Sequence, residues 1–406
     1  MMVLHPLSLV RRGLRSIPSY KRNQVMSLSF TAAKRADGDK SCGEQDVIIE
    51  CLSGGKGLIT LNRPKQLNTL NSSMVCKIRQ KLMEWSDDKY LIVVKGAGEK
   101  AFCAGGDVVS VTKDTSGNVA KQFFREEYKM DALISCLKVP YVALISGIVM
   151  GGGVGISLFG KYRIATETSL FAMPETQIGF FPDVGVSYHL ARMPNQLGLF
   201  LALTGYRLKG YDLVHAGIAT HFCSTAKLPE LEKALLCDFS RDCCSCPHDI
   251  IEEFHNNSIK ELQGGCVPKF QLEPNLKLMN AWFSECTIEA AMAKIKEDKS
   301  KFATDTMECL NKMSPLSLKV TYKQVRDAAK LEIFDCFNVD YRIALKMMTC
   351  GDFIEGVRAL LVDKDKKPKW KHSDVCKVTA EEVENFFCPG QCELNLPTSL
   401  NDPCEQ

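Results

Sequence analysis

A strand buried on both faces of a parallel sheet leaves a short apolar run with no alternation, closed by turn residues. The chain holds such runs at "LIVVKGAG" (91–98) and "YVALISGIVM" (141–150), with a longer β-rich run at "YRIATETSLFAM" (162–173). Helical periodicity separates them. Leu70, Met74, Ile78, Leu82 and Trp85 recur every three or four residues, and a second helix is expected over 119–136. "GGGVGISLFG" (151–160) starts another helix packed close on the run before it, and 197–205 and 209–219 read as helical. Upstream, "VIIECL" (47–52) and "GLITLNR" (57–63) flank "SGGKG", a hairpin pattern. Strands alternating with helices define an α/β fold with parallel strands and crossover helices.

After about residue 235 the strand runs vanish and helical patterns dominate to about 362. The expected organisation is therefore an α/β core over 45–235, a helical region over 236–385 and a disordered tail over 386–406. Residues 1–35 carry Arg11, Arg12, Arg15, Lys21, Arg22, Lys34 and Arg35, and no acid precedes Asp37. Leu7, Val10, Leu14 and Ile17 recur at helical spacing among these cations. That pattern reads as a mitochondrial transit peptide and predicts a matrix protein. No run reaches the ~18 apolar residues of a spanning helix, so no membrane partner is expected. The net charge of +3 over 406 residues gives no electrostatic case for nucleic acid.

Nineteen scattered cysteines without a secretory signal fit reduced thiols. Cys243, Cys244, Cys246, His248 and His255 cluster too tightly for the usual paired spacing of a zinc site, so no metal is expected there. His215 and His221 read as structural.

Two glycine-rich turns follow strand runs: "KAFCAGGD" (100–107) and "GIVMGGGVG" (147–155). Glycine allows positive φ and close approach of backbone to a ligand. Two such turns can aim two N–H donors at one polarised carbonyl oxygen, or they can simply allow tight strand–helix packing. The phosphate-binding loop, the dinucleotide fingerprint and the hydrolase elbow are all absent. Glu175 and Asp183 each follow a proline inside the apolar segment "FAMPETQIGFFPDVG" (171–185). Taken alone, each acid reads either as a helix cap or as a reacting group held in an apolar setting.

"LITLNRPKQLNTL", "KAFCAGGD", "GIVMGGGVG" and "MPETQIGFFPDVG", in that order, are similar to the crotonase, or enoyl-CoA hydratase/isomerase, superfamily. "FFREEY" (123–128), "RLKGYDLVHAGIATHF" (207–222), "NKMSPLSLKVT" (311–321) and "DFIEGVRALLVDKDKKPKWK" (352–371) resemble its thioester-hydrolase branch, which serves valine breakdown. The resemblance spans roughly 45 to 375. It implies repeated ββα units with a helical C-terminal region and an acyl-CoA thioester as substrate. Coenzyme A is then part of the substrate and no other cofactor is expected. It further implies that the N–H groups of Gly106 and Gly152 form the oxyanion hole. On the same resemblance Glu175 and Asp183 are expected to be the catalytic acids and Glu127 to line the acyl pocket, a solvated helix face being the rival reading for Glu127. The resemblance implies substrate contacts from Glu127, Gly152, Glu175 and Asp183. Hydratases of the superfamily carry a second glutamate where this chain has Gly155, which favours hydrolysis over hydration. An enoyl-CoA hydratase or isomerase, and a noncatalytic mitochondrial scaffold subunit, are the alternatives. "VGVSYH" (184–189) departs from the more glycine-rich run expected after the second acid. A homo-oligomer is left open.

Overall fold

The computed structural model describes residues 45–114, 117–237, 246–262, 265–389, 394 and 396. The expected transit peptide, Cys243, Cys244 and most of the expected C-terminal tail lie outside these residues.

Among the described residues ten strands build two sheets. β1 (Val47–Leu52) and β2 (Lys56–Leu61) form the antiparallel hairpin. β3 (Leu91–Gly96) and β4 (Ala101–Cys103) follow, then β5 (Tyr141–Ile145), β6 (Ile148–Met150), β7 (Tyr162–Ala165), β8 (Leu170–Ala172), β9 (Leu208–Lys209) and β10 (His221–Phe222). The larger sheet has the order β1-β2-β3-β5-β7-β10 and the smaller β4-β6-β8-β9. The pairs β3/β4, β5/β6 and β7/β8 each send one strand to either sheet.

That division corrects the sequence reading. The single strands expected over 141–150 and 162–173 are each two strands in two sheets. Gly147 makes the first break, at φ +76°, where a side chain would collide with the Lys100 carbonyl. At the second, Ser169 Oγ accepts from the Thr166 N–H at 2.7 Å and closes the turn. A run of apolar residues signals burial, and burial continues across both breaks.

Of the helices, α1 (Ser72–Trp85) starts later than the periodicity suggests. Asn68 lies at φ +57°, and Asn71 caps the helix by accepting from the Met74 N–H at 2.8 Å. α2 (Val108–Thr112) is short, and α3 (Asn118–Cys136) matches the expected helix closely. α4 (Gly152–Leu158), α5 (Val186–Leu190) and α6 (Leu197–Thr204) come next. The helix expected over 209–219 shrinks to α7 (Asp212–His215) between two short strands. α8 (Leu228–Leu236) and α9 (Pro247–Glu261) cover one face of the larger sheet, burying Leu58, Leu91, Val93, Val142, Leu144 and Ile164. Ile59, Leu61, Ile92, Val94, Ala143 and Ile145 point the other way into the main core. Both faces are thus apolar, which is why these strands show no alternation.

α10 (Leu276–Phe283), α11 (Ile288–Glu297), α12 (Lys301–Leu310), α13 (Pro315–Ala328), α14 (Ile333–Met347), α15 (Gly351–Val357) and α16 (Ala380–Phe387) form the helical C-terminal region. Among the described residues no helix is long and apolar enough to cross a membrane.

Candidate active site

The two glycine turns meet. Gly105 (φ +113°) ends the β4 turn and Gly151 (φ +48°) ends the β6 turn, both conformations that favour glycine. A side chain built on Gly105 would touch Met150 O at 3.5 Å and Gly152 N at 3.9 Å. The Gly106 nitrogen lies 3.3 Å from where a Gly152 side chain would begin. Neither N–H is engaged by a turn or side-chain acceptor among the described residues. Gly152, at the first position of α4, is one of the helix residues without an internal acceptor. The close-packing reading also holds at Gly153, where a side chain would collide with Cys103.

The acids gather round this point. Glu175 Oε1 lies 3.1 Å from where a Gly151 side chain would start, and Glu127 Oε1 occupies the space over Gly152. Glu127, Glu175 and Asp183 are 2%, 7% and 5% exposed, so the solvated-face reading of Glu127 fails. Its neighbour Glu126 instead turns outward to pair with Arg79 at 3.1 Å. Neither proline-preceded acid caps a helix through its side chain, although Glu175 stands in the first turn of one. Glu175 opens a short 3-10 turn with no side-chain cap bond, and its Oε2 is buried without a partner. Asp183 Oδ2 accepts from the Tyr128 hydroxyl at 2.7 Å.

Burial disfavours the charged forms. The Glu175 carboxyl is pushed well above the usual range by desolvation and then by the nearby Asp183 charge. Asp183 is raised to about 7 by burial, against the Tyr128 hydrogen bond, which pulls it down. Glu127 is raised by burial and by Asp183.

The segment after Asp183 carries strain. Val184 is buried at φ +56°, a conformation β-branched residues rarely adopt and one that costs on the order of 1–3 kcal/mol. The C-terminal helices hold it there. Gln324 on α13 donates to Pro182 O at 3.0 Å and to Asp340 Oδ1 at 2.7 Å. Asp340 on α14 accepts from the Gly185 N–H at 2.8 Å. The Ser314 N–H, at the cap of α13, donates to Thr176 O beside Glu175 at 3.1 Å. The helical region is therefore the frame on which both acids sit.

Sequence reasoning missed Tyr128, Gln324, Asp340 and Asp131. Asp131 has 0% exposure, and neither carboxyl oxygen has a partner. It stands four residues after Glu127 on the same face of α3, a spacing that could have drawn attention to it. Its carboxyl abuts Gly155. A side chain there would overlap Asp131 Oδ2 and come within 2.8 Å of Val184 Cβ, so this packing has no room for a glutamate at 155. His215 bonds Pro268 O at 2.7 Å, and His221 bonds Thr220 at 2.8 Å and Glu252 at 3.1 Å. Against the reading of His221 as purely structural, ligand atoms of His221, His248 and Glu252 lie within 4.8 Å of one another, close enough to hold a metal ion. Cys246 Sγ accepts from the His248 N–H at the start of α9.

Two glycine turns bring backbone donors beside buried acids, an arrangement suited to a polarised carbonyl. A sequence model described as enoyl-CoA hydratase/isomerase matches residues 56–387, and the chain belongs to that family. Similar curated proteins include the mitochondrial 3-hydroxyisobutyryl-CoA hydrolase of Gallus gallus, 43% identical over 94% of this chain and 98% of the relative. The Homo sapiens protein of the same name is 43% identical over 91% of this chain and 94% of its own length. Among solved structures, a carnitinyl-CoA dehydratase from Mycobacterium thermoresistibile superposes with TM-score 0.79 at 34% identity, covering 86% of this chain and 98% of that one. An enoyl-CoA hydratase from Rhodobacter sphaeroides 2.4.1 gives TM-score 0.75 at 32% identity, covering 85% and 98%.

Proposed function

We propose that this chain hydrolyses the thioester of 3-hydroxyisobutyryl-CoA to the free hydroxyacid and coenzyme A, in the mitochondrial breakdown of valine. The observation that carries the reading is the convergence of the Gly106 and Gly152 turns on Glu175, with Gly155 where a hydratase has its second glutamate. The names of the near full-length relatives support the substrate and the compartment. The acid-free, arginine-bearing leader supports the compartment independently.

The thioester oxygen accepts from the two glycine N–H groups, which stabilise the negative charge that grows as the carbonyl carbon becomes tetrahedral. Ionised Glu175 either attacks that carbon, expelling CoA thiolate and leaving a mixed anhydride for water to open, or takes a proton from the attacking water. Its apolar setting makes the carboxylate more basic than an exposed one, which suits either role. Asp183, held by Tyr128, positions the water. Glu127 borders the acyl group. The route uses no cofactor beyond the coenzyme A of the substrate.

The test is release of free CoA thiol from 3-hydroxyisobutyryl-CoA, 3-hydroxypropionyl-CoA and crotonyl-CoA. Fast release from the hydroxyacyl esters supports the proposal. Water addition to crotonyl-CoA without thiol release would establish the hydratase reading instead.

A further inference from the structure

Asp131 is the buried group that the mechanism above leaves unused. Both Asp131 carboxyl oxygens lie inside the core with no protein partner. Leaving a buried polar group unsatisfied costs about 1–3 kcal/mol, so such a group is a candidate to meet a ligand.

Its place says which ligand. α3 and α4 pack against each other in two steps. At the first, Glu127 lies over Gly152, beside the Gly106 N–H. At the second, one turn deeper, Asp131 lies against Gly155. The steps are about 5–6 Å apart, the rise of one turn. An acyl group whose carbonyl oxygen accepted from the two glycine N–H groups, and that extended along α3 from Glu127 toward Asp131, would follow these two steps inward. A hydroxyl on the third carbon stands two carbons beyond the thioester carbon, at the depth of Asp131. Glu127 Oε1, also unpartnered, borders the same space.

We propose that Asp131 is the residue that recognises the hydroxyl of the acyl group, and so selects 3-hydroxyacyl thioesters over their deoxy counterparts; this rests on the thioesterase reading above. The chemistry matches. Burial raises the Asp131 carboxyl well above the usual range, and the neighbouring Glu127 and Asp183 charges raise it further. A protonated carboxyl offers one donor and an acceptor, as an alcohol does. Gly155 is part of the device, because any side chain there would displace the carboxyl.

The experiment compares kcat/KM for 3-hydroxyisobutyryl-CoA and isobutyryl-CoA in the full chain and in Asp131→Asn and Asp131→Leu, with folding checked by circular dichroism. The wild type favours the hydroxyacyl ester by a large factor, since sites built to bond a hydroxyl reject analogues lacking it by up to about 10⁴-fold. Asp131→Asn, of the same shape with a donor and an acceptor, keeps that preference. Asp131→Leu loses at least about 10-fold on the hydroxyacyl ester while its rate on isobutyryl-CoA holds or rises. Equal loss on both esters would show a packing role and overturn the proposal, as would an unchanged preference in Asp131→Leu. A wild type that cleaves neither ester refutes the thioesterase reading itself, which is a separate result.

Discussion

Glu355, Asp363 and Asp365 surround one guanidinium, that of Arg358, at distances of 2.8, 2.5 and 2.8 Å near the surface. Glu127, Asp131, Glu175 and Asp183 surround one another in the core, with no cationic partner among the described residues. The same functional group behaves oppositely in the two places. Arg358 holds the Glu355 carboxyl at about 2, and Asp365 is also pulled down by Arg358. In the core, desolvation raises all four carboxyls. The outer cluster needs only two neighbouring turns of chain. The inner one needs α3, the 3-10 turn at Glu175, the strained loop at Val184 and the C-terminal helices that pin it. Clustered like charges without a counterion destabilise a fold, and such arrangements occur where function requires them.

The largest expected effect breaks the inner cluster at its centre. Glu175→Gln keeps the shape and lowers kcat by about 100-fold or more, the scale for losing an acid–base group; thiol release under saturating substrate measures it. A near-normal rate would remove Glu175 from the chemistry.

Next, Gly155→Glu forces a side chain against Asp131 and Val184. Overpacking of this kind costs about 1–3 kcal/mol or more, so the variant should melt earlier and lose thiol release without gaining hydration of crotonyl-CoA. Gain of hydration would mean that the glycine alone separates the two activities.

Asp183→Asn sharpens the contrast through stability. A carboxyl whose folded pKa is raised binds its proton more tightly in the native state. It therefore lowers stability as pH climbs from about 4, the unfolded value, to about 7, the folded one, and the penalty is complete above that. Asparagine keeps an acceptor for the Tyr128 hydroxyl and removes the titration. The variant should lose activity yet be more stable than wild type at pH 8, with the gap closing toward pH 4. Denaturant melts at the two pH values measure this.

The inner cluster also predicts a pH–rate profile. Glu175 must be ionised to act, and its pKa is raised, so kcat/KM should climb with pH along a limb lying well above that of an exposed glutamate. A limb near pH 4.5 would place the reacting carboxylate in water.

The smallest effect comes from Arg358→Ala. The pair is exposed, and surface ion pairs contribute little. Activity should be unchanged. Glu355 has a depressed pKa, so its contribution is present above the unfolded value and fades as pH falls toward about 2; only melts in that acid window should respond.

The comparison also marks what could be read from the chain alone. Glu127, Glu175, Asp183, Gly106 and Gly152 were legible through motifs that resemble the family; the glycine turns by themselves left close strand–helix packing as an equal reading. Asp131 was not legible, because a lone acid on a helix reads as solvated unless its burial is known. Nor were Gln324 and Asp340, which reach the Asp183 loop across 142 and 155 residues of chain.

Local sequence determined the hairpin, the buried strands, α3 and the glycine turns, because those rest on periodicity and on backbone conformations only glycine adopts readily. The tertiary structure alone decided that two of the apolar runs are each divided between two sheets. It also decided that α3 and α4 meet in step at Gly152 and Gly155, and that the C-terminal helices hold Val184 in a strained turn. Those outcomes depend on which distant surfaces pack together, and a hydrophobic pattern records that a residue is buried without recording against what.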